Sequence, residues 1–385
     1  MSEDSTLFRR RRRLAVAALA ALASLGAGAT LAKLATAGTT GTGNTTGNAA
    51  GGAAGDAPGG AYRSGLPHLG ALPALDGATT WLNSAPLTTQ QLRGKVVLVD
   101  FWTYSCINCI RTLPHVRAWA QKYRDQGLVV IGVHTPEFSF EQDAANVSKA
   151  VERFQIDYPI AVDSERRIWN AYRNNAWPVF YVADAQGQVR ARLVGEGTRA
   201  VEQVIQMLLA EAGRHDAMGP LATPQATDEQ AAPDGAHLGS GETYVGYEQA
   251  AHFVGRGGLR RDVAHDYTAG APGLNEWSLT GDWTVGAERA QLNRAGGGIV
   301  YRFSARDLHL VLGPGADGKP VRFVVSIDGR APGADHGTDT DAAGHGVVTA
   351  TRLYQLVRQS GTVQPRTFEI RFLDPGAGAF AFTFG

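Results

Sequence analysis

Cys106 and Cys109 are the only cysteines among 385 residues, and Ile107-Asn108 between them makes a C-x-x-C pair. Upstream, Lys95–Trp102 is a mostly apolar run that reads as a buried strand. Downstream, Arg111-Thr112-Leu113-Pro114 leads into a helical pattern carried by Val116, Trp119, Ala120 and Tyr123. The pair therefore stands where a strand runs into a helix. Free N–H groups and the dipole at a helix N-terminus favour negative charge, so a cysteine there holds its thiolate readily. The thiolate attacks a disulfide, and the second cysteine resolves the mixed disulfide. This is the chemistry of thiol–disulfide exchange.

Two plainer readings of the pair are weaker. A structural zinc site needs four ligands, and neither a second C-x-x-C nor a finger-like spacing of His115 and His134 supplies them, so no metal is expected. A purely structural disulfide would close a very short loop and remove little entropy from the unfolded chain.

The string Val99-Asp100-Phe101-Trp102, three further residues and then C-x-x-C resembles thioredoxin. The fuller run Phe101–Pro114, with Gly132-Val133-His134-Thr135-Pro136-Glu137-Phe138 and Ala176-Trp177-Pro178-Val179, is similar to the DipZ-type branch of the TlpA-like thioredoxin family. The resemblance covers about residues 66–213, and the region after 240 is similar to the C-terminal domain of DipZ-type proteins. It implies that Pro178 is a cis-proline facing the cysteines, with Trp177 and Trp102 lining the substrate groove. It implies further that Asp100 is a buried carboxylate able to take a proton from Cys109, and that Glu137 sits beside the cysteines. Burial raises a carboxyl pKa, which suits such a proton acceptor. Protein disulfides are the implied substrates, with no cofactor. Reduction is the implied direction, fed by a separate membrane electron donor of the CcdA/DsbD-like kind. Oxidation stays open, because the dipeptide between the cysteines influences potential in a way the sequence does not reveal.

The elements around these residues alternate strand and helix, as in an α/β layer. Ile107–Gln126 is expected as a helix containing Pro114 and closed by Gly127; Leu128–Val133 as the next strand; Glu141–Phe154 and Ile168–Tyr172 as helices. Val179–Ala183 and Val189–Val194 read as a hairpin, and Ala200–Ala212 as a closing helix. From Thr243 onward the texture is all-β, with about eight strand-like segments split by turn signals such as Asp328-Gly329. The expected fold is thus an α/β thioredoxin-like domain followed by an all-β, jelly-roll-like sandwich. Resemblance of the second domain to carbohydrate-binding modules makes a glycan a candidate ligand, with Trp277, Trp283 and Tyr354 as the aromatic platform. That leaves a second class of reading, a binding protein with the thioredoxin domain as accessory.

Composition narrows the rest. Thirty-six basic and thirty-six acidic residues give a net charge of zero, so no basic field invites nucleic acid. Arg9–Arg13 followed by an apolar run from Leu14 to Ala32 reads as a targeting segment, residues 1–37, for export to the periplasm. Ala35-Thr36-Ala37 offers a cleavage site, while the run is also about long enough to anchor in a membrane. Residues 38–65 read as a flexible tether, 66–213 as the thioredoxin domain, 214–239 as a linker and 240–385 as the β-sandwich.

Overall fold

A computed structural model describes residues 62–315 and 317–385. The targeting segment and most of the tether lie outside the described residues. No helix among the described residues is long and apolar enough to cross a membrane.

The first domain is built on a seven-stranded sheet. Its strands are β1 (Gly70–Ala71), β2 (Thr80–Leu82), β3 (Val96–Trp102), β4 (Leu128–His134), β5 (Ile160–Val162), β6 (Val179–Ala183) and β7 (Gln188–Val194), in the order β1-β7-β6-β3-β4-β5-β2. Strands β3, β4 and β5 run parallel, joined by right-sized helical crossovers, while β6 and β7 return antiparallel. Every residue of β3 is buried, as expected for a central strand covered on both faces. Four helices cover the sheet: α1 (Ile107–Lys122), α2 (Ala144–Arg153), α3 (Arg167–Ala171) and α4 (Thr198–Glu211). Gly132 in β4 lies opposite Asp100, and an added Cβ there would sit 2.5 Å from Ile160 and 3.0 Å from the Trp102 indole nitrogen. Only a glycine lets that indole lie across the sheet.

Two helices begin or end elsewhere than the sequence pattern predicts. Helix α1 stops at Lys122, because after the last helical bond, from Tyr123 N–H to Trp119, the Gln126 and Gly127 N–H groups turn back to Tyr123 and Arg124 and deliver Leu128 to the sheet. The Tyr123 ring is buried and its hydroxyl donates to Glu202, which fixes the turn. The expected Glu141–Phe154 helix is split. A 3₁₀ turn covers Ser139–Gln142, and Asp143 caps α2 by accepting from the Ala145 N–H at 2.9 Å. That split turns Glu141 inward.

The second domain contains β8 (Thr243–Tyr244), β9 (Ala264–Tyr267), β10 (Trp277–Val285), β11 (Ala290–Leu292), β12 (Gly298–Phe303), β13 (Asp307–Gly313), β14 (Val321–Ile327), β15 (His345–Val348), β16 (Arg352–Arg358), β17 (Arg366–Phe372) and β18 (Gly378–Phe384). The pairings between these strands are antiparallel, and they form one large sheet that curls on itself. Strand β10 makes the corner: Trp277–Thr280 pair with β12, and Gly281–Thr284 pair with β9. Gly281 sits at the bend with φ +81°, where a side chain would meet Gly297 at 2.8 Å. The two halves close over Trp277, Trp283, Tyr301, Phe303, Phe323 and Phe368. Arg63–Gly385 pack as one unit. Val311, Leu353, Phe380 and Ala381 of the second domain join the core cluster that surrounds α1 and α2 of the first.

Candidate active site

Strand β3 ends at Trp102, and Thr103–Ser105 carry the chain to Cys106, the N-cap of α1. The Cys106 sulfur takes the place of a capping oxygen and accepts from the Cys109 N–H at 3.4 Å. That bond aims a backbone N–H of the first helical turn at the sulfur. Cys106 is half-buried and reachable, whereas Cys109 is fully enclosed; both are free thiols. Only the first can meet a large substrate.

Asp100 lies mid-strand in β3 with no exposed surface, and neither carboxyl oxygen has a hydrogen-bond partner among the described residues. Burial pushes its pKa up from 3.8 to about 8. Burial likewise pushes the Cys109 thiol well up, with Cys106 and the Asp100 charge adding to the effect. The Cys109 thiol is thus protonated near neutrality, and Asp100 is near enough for its charge to add to that effect.

The Trp177–Pro178 peptide bond is cis. Val179 lies opposite Phe101, so the bond sits at the end of the sheet from which the Thr103–Cys106 turn departs. Trp177 is half-buried against Trp169, with ring centroids 4.3 Å apart, and the Arg166 guanidinium lies over both rings. Trp102 differs from expectation. It has no exposed surface and packs edge-on against His134, so it is core beneath the site and cannot line a substrate groove. His134, pulled down to about 3 by burial, stays neutral under the Tyr104 ring.

Glu137 is where the loop after β4 turns, and its side chain accepts a hydrogen bond from Tyr244 of the second domain. The carboxylate that reaches the cysteine turn is a different one. Glu141, with no exposed surface, accepts from the Ser105 N–H at 3.2 Å and the Ser105 hydroxyl at 2.7 Å. Its other oxygen accepts from the N–H groups of Glu137 and Phe138 at 2.6 and 3.1 Å. Burial raises its pKa despite these donors. Sequence reading assigned Glu141 to a helix and missed it. The available signal was its place three residues after Phe138, the spacing at which an acid reaches back to a capping N–H.

In the second domain Trp277, Trp283 and Tyr354 have at most 0% exposure, which corrects their assignment to a glycan platform. Their polar atoms turn inward as well: the indole N–H groups donate to Ala251 and Thr280, and the Tyr354 hydroxyl to Ala350. No cluster of three or more histidine, cysteine or acidic side chains among the described residues could hold a metal.

The parallel β3–β4–β5 core with its antiparallel β6–β7 return, the cysteine-capped helix and the adjoining cis-proline define a thioredoxin-like dithiol protein. Residues 72–192 match the AhpC/TSA family model and residues 240–385 the thioredoxin like C-terminal domain model. Protein DipZ of Mycobacterium bovis, and that of Mycobacterium tuberculosis, is 36% identical over 332 residues, covering 82% of this chain and 43% of the relative. The thiol-disulfide oxidoreductase YkuV of Bacillus subtilis is 33% identical, covering 36% of this chain and 95% of that protein. A solved thioredoxin-like protein in its oxidised form shares 33% identity at a TM-score of 0.35, over 37% of this chain and 96% of that one. The chain belongs to the DipZ-type, TlpA-like thioredoxin family of thiol–disulfide oxidoreductases. It spans less than half the length of the DipZ proteins it matches.

Proposed function

We propose that the chain is an exported reductant of protein disulfides, working through Cys106 and Cys109. The observation that carries this reading is the asymmetry of the pair: a reachable sulfur at a helix N-terminus above an enclosed thiol that burial keeps protonated. The Cys106 thiolate attacks one sulfur of a substrate disulfide and displaces the other as a thiolate, which takes a proton from water. Cys109 then gives its proton to Asp100 and attacks the Cys106 sulfur. The second substrate thiolate leaves, and two electrons have passed from the dithiol to the substrate. With a pKa of about 8, roughly a tenth of Asp100 is ionised at pH 7 and free to accept that proton. The cis Trp177–Pro178 bond presents a backbone edge for the substrate, and Glu137 flanks the site. Recharging needs an external dithiol, and a membrane electron donor of the CcdA/DsbD-like kind fits that need.

The basic block and apolar run at residues 9–32 support export to the periplasm, cleaved or tethered. Residues 66–213 are the redox unit in this reading, 214–239 its connection and 240–385 the β-domain. A glycan-binding role draws no support from the aromatics first considered, since their rings are enclosed. The deciding experiment equilibrates the Cys106/Cys109 couple in glutathione or dithiothreitol buffers. A potential near about −270 mV supports a reductant, and one towards about −120 mV makes the protein an oxidant.

A further inference from the structure

We propose that the C-terminal β-domain is a working part of the redox site, with Tyr244 as a positioning residue that acts on Cys106 through Glu137. The inference rests on Cys106 being the attacking thiol. Between the two domains runs the segment 136–142. On one side the β-domain holds it at three points. The Tyr244 hydroxyl lies 2.5 Å from the Glu137 carboxylate and 2.9 Å from that of Glu242, so its one proton is shared between the two acids with Glu137 the nearer, and Glu288 accepts from the Ser139 N–H at 3.2 Å. The Phe380 ring packs edge-on against Phe138 and Phe140, with centroids 5.5 and 4.9 Å away. Tyr244 and Phe380 are set together, because β8 pairs with β18 through Tyr244 and Ala381.

On its other side the same segment holds the cysteine turn. Glu141 receives both donors of Ser105, the residue before Cys106, and its second oxygen receives the Glu137 and Phe138 N–H groups. The Tyr104 hydroxyl donates to the Phe140 carbonyl at 3.4 Å. Hydrogen bonds therefore tie Tyr244 to the Glu137 side chain, the Glu137 backbone to Glu141, and Glu141 to Ser105, whose peptide bond leads into Cys106. Charge-assisted bonds of this kind fix direction as well as distance. A domain that merely hung from a linker would not place an aromatic ring and a carboxylate bond on the loop beside the attacking thiol.

The test uses the full chain with Tyr244→Phe, Glu137→Ala and the double variant, and Phe380→Leu as an independent loosening of the same clamp. Two quantities are read: the pH profile of single alkylation of Cys106 by iodoacetamide, and the reduction potential of the pair. Tyr244→Phe is expected to displace the alkylation profile and change the rate at neutral pH by about three- to tenfold, the range of one ordinary net hydrogen bond. Added to Glu137→Ala it should change nothing further, since its route to Cys106 is already cut. Phe380→Leu should displace the profile the same way, and it carries the test if Tyr244→Phe does not fold. Profiles of both variants superimposed on wild type overturn the inference, as does an equal effect of Tyr244→Phe with and without Glu137. A wild-type Cys106 inert to alkylation across the pH range overturns both this inference and the proposed function; a reactive wild type with unmoved variants overturns this one alone.

Discussion

The Ser105 hydroxyl donates at 2.7 Å to Glu141, a carboxylate with no exposed surface that lies 36 residues further along the chain. Four donors converge on its two oxygens: the N–H and hydroxyl of Ser105 just before Cys106, and the N–H groups of Glu137 and Phe138 in the loop after β4. Buried polar groups of this kind are costly to leave unpaired, so the four bonds act together to hold one geometry. Glu141→Gln keeps the shape and one accepting oxygen but replaces the other by an NH₂ that cannot accept. The expected loss is about 1–3 kcal/mol for a stranded buried N–H, together with slower alkylation of Cys106. Urea unfolding and iodoacetamide kinetics check both. An unchanged midpoint and rate would show that the carboxylate is dispensable.

The roles proposed for the two sulfurs follow from their unequal exposure. Cys106→Ser removes the reachable nucleophile and should abolish insulin reduction. Cys109→Ser should leave the first attack intact and trap substrate on Cys106, because the group that releases it is gone. Mixed disulfides visible on non-reducing gels with Cys109→Ser, and absent with Cys106→Ser, are the expected result. The reverse pattern would exchange the two roles.

Asp100 makes stability depend on pH in a defined direction. Its pKa is 3.8 when exposed and about 8 in the fold. Between those values the unfolded chain has released the proton while the folded chain keeps it, so the folded state binds more protons and stability falls as pH rises. Below about 4 and above about 8 this contribution is flat. Asp100→Asn removes it and should stabilise the protein by up to about 4 kcal/mol at pH 7 while slowing release of trapped substrate. Thermal unfolding from pH 4 to 9 is the measurement. Parallel curves for wild type and variant would mean that Asp100 titrates normally.

How much of this was legible in the sequence follows from how local each signal is. The C-x-x-C pair and the apolar β3 are local signals, and each stands in the fold where its own neighbours predict, whereas the cis state of Pro178 was implied by the resemblance and not by its neighbours. Glu141 and Tyr244 were not legible, because their meaning comes from partners 36 and 107 residues away. The three aromatics of the β-domain were misread for a related reason. Alternation along a strand says which face a side chain takes, and only the curl of the whole sheet decides that the face is enclosed. Strand β16 is hard to read in the sequence although five of its seven residues are buried, since Gln355 within it and the arginines at its two ends mask the apolar pattern.

The domain interface also contains an ionic knot that the sequence does not announce. Asp307, fully buried at the start of β13, meets Arg306 at 2.7 Å, Arg358 at 2.9 Å and Arg111 of α1 at 3.5 Å. Burial alone would raise its pKa, yet the hydrogen bonds from Arg306 and Arg358 hold it below the ordinary carboxylate range. Its stabilisation is therefore present above pH 4 and is lost as pH falls through the lowered value. Asp307→Asn leaves three guanidinium groups facing one another and should cost about 3–5 kcal/mol at pH 7. Arg111→Met should cost less, because Asp307 keeps two partners and Glu196, the other acid beside Arg111, is partly open to water. Urea unfolding of both variants at pH 7 measures the contrast. Equal losses would mean that Arg111, not Asp307, is the centre of the knot.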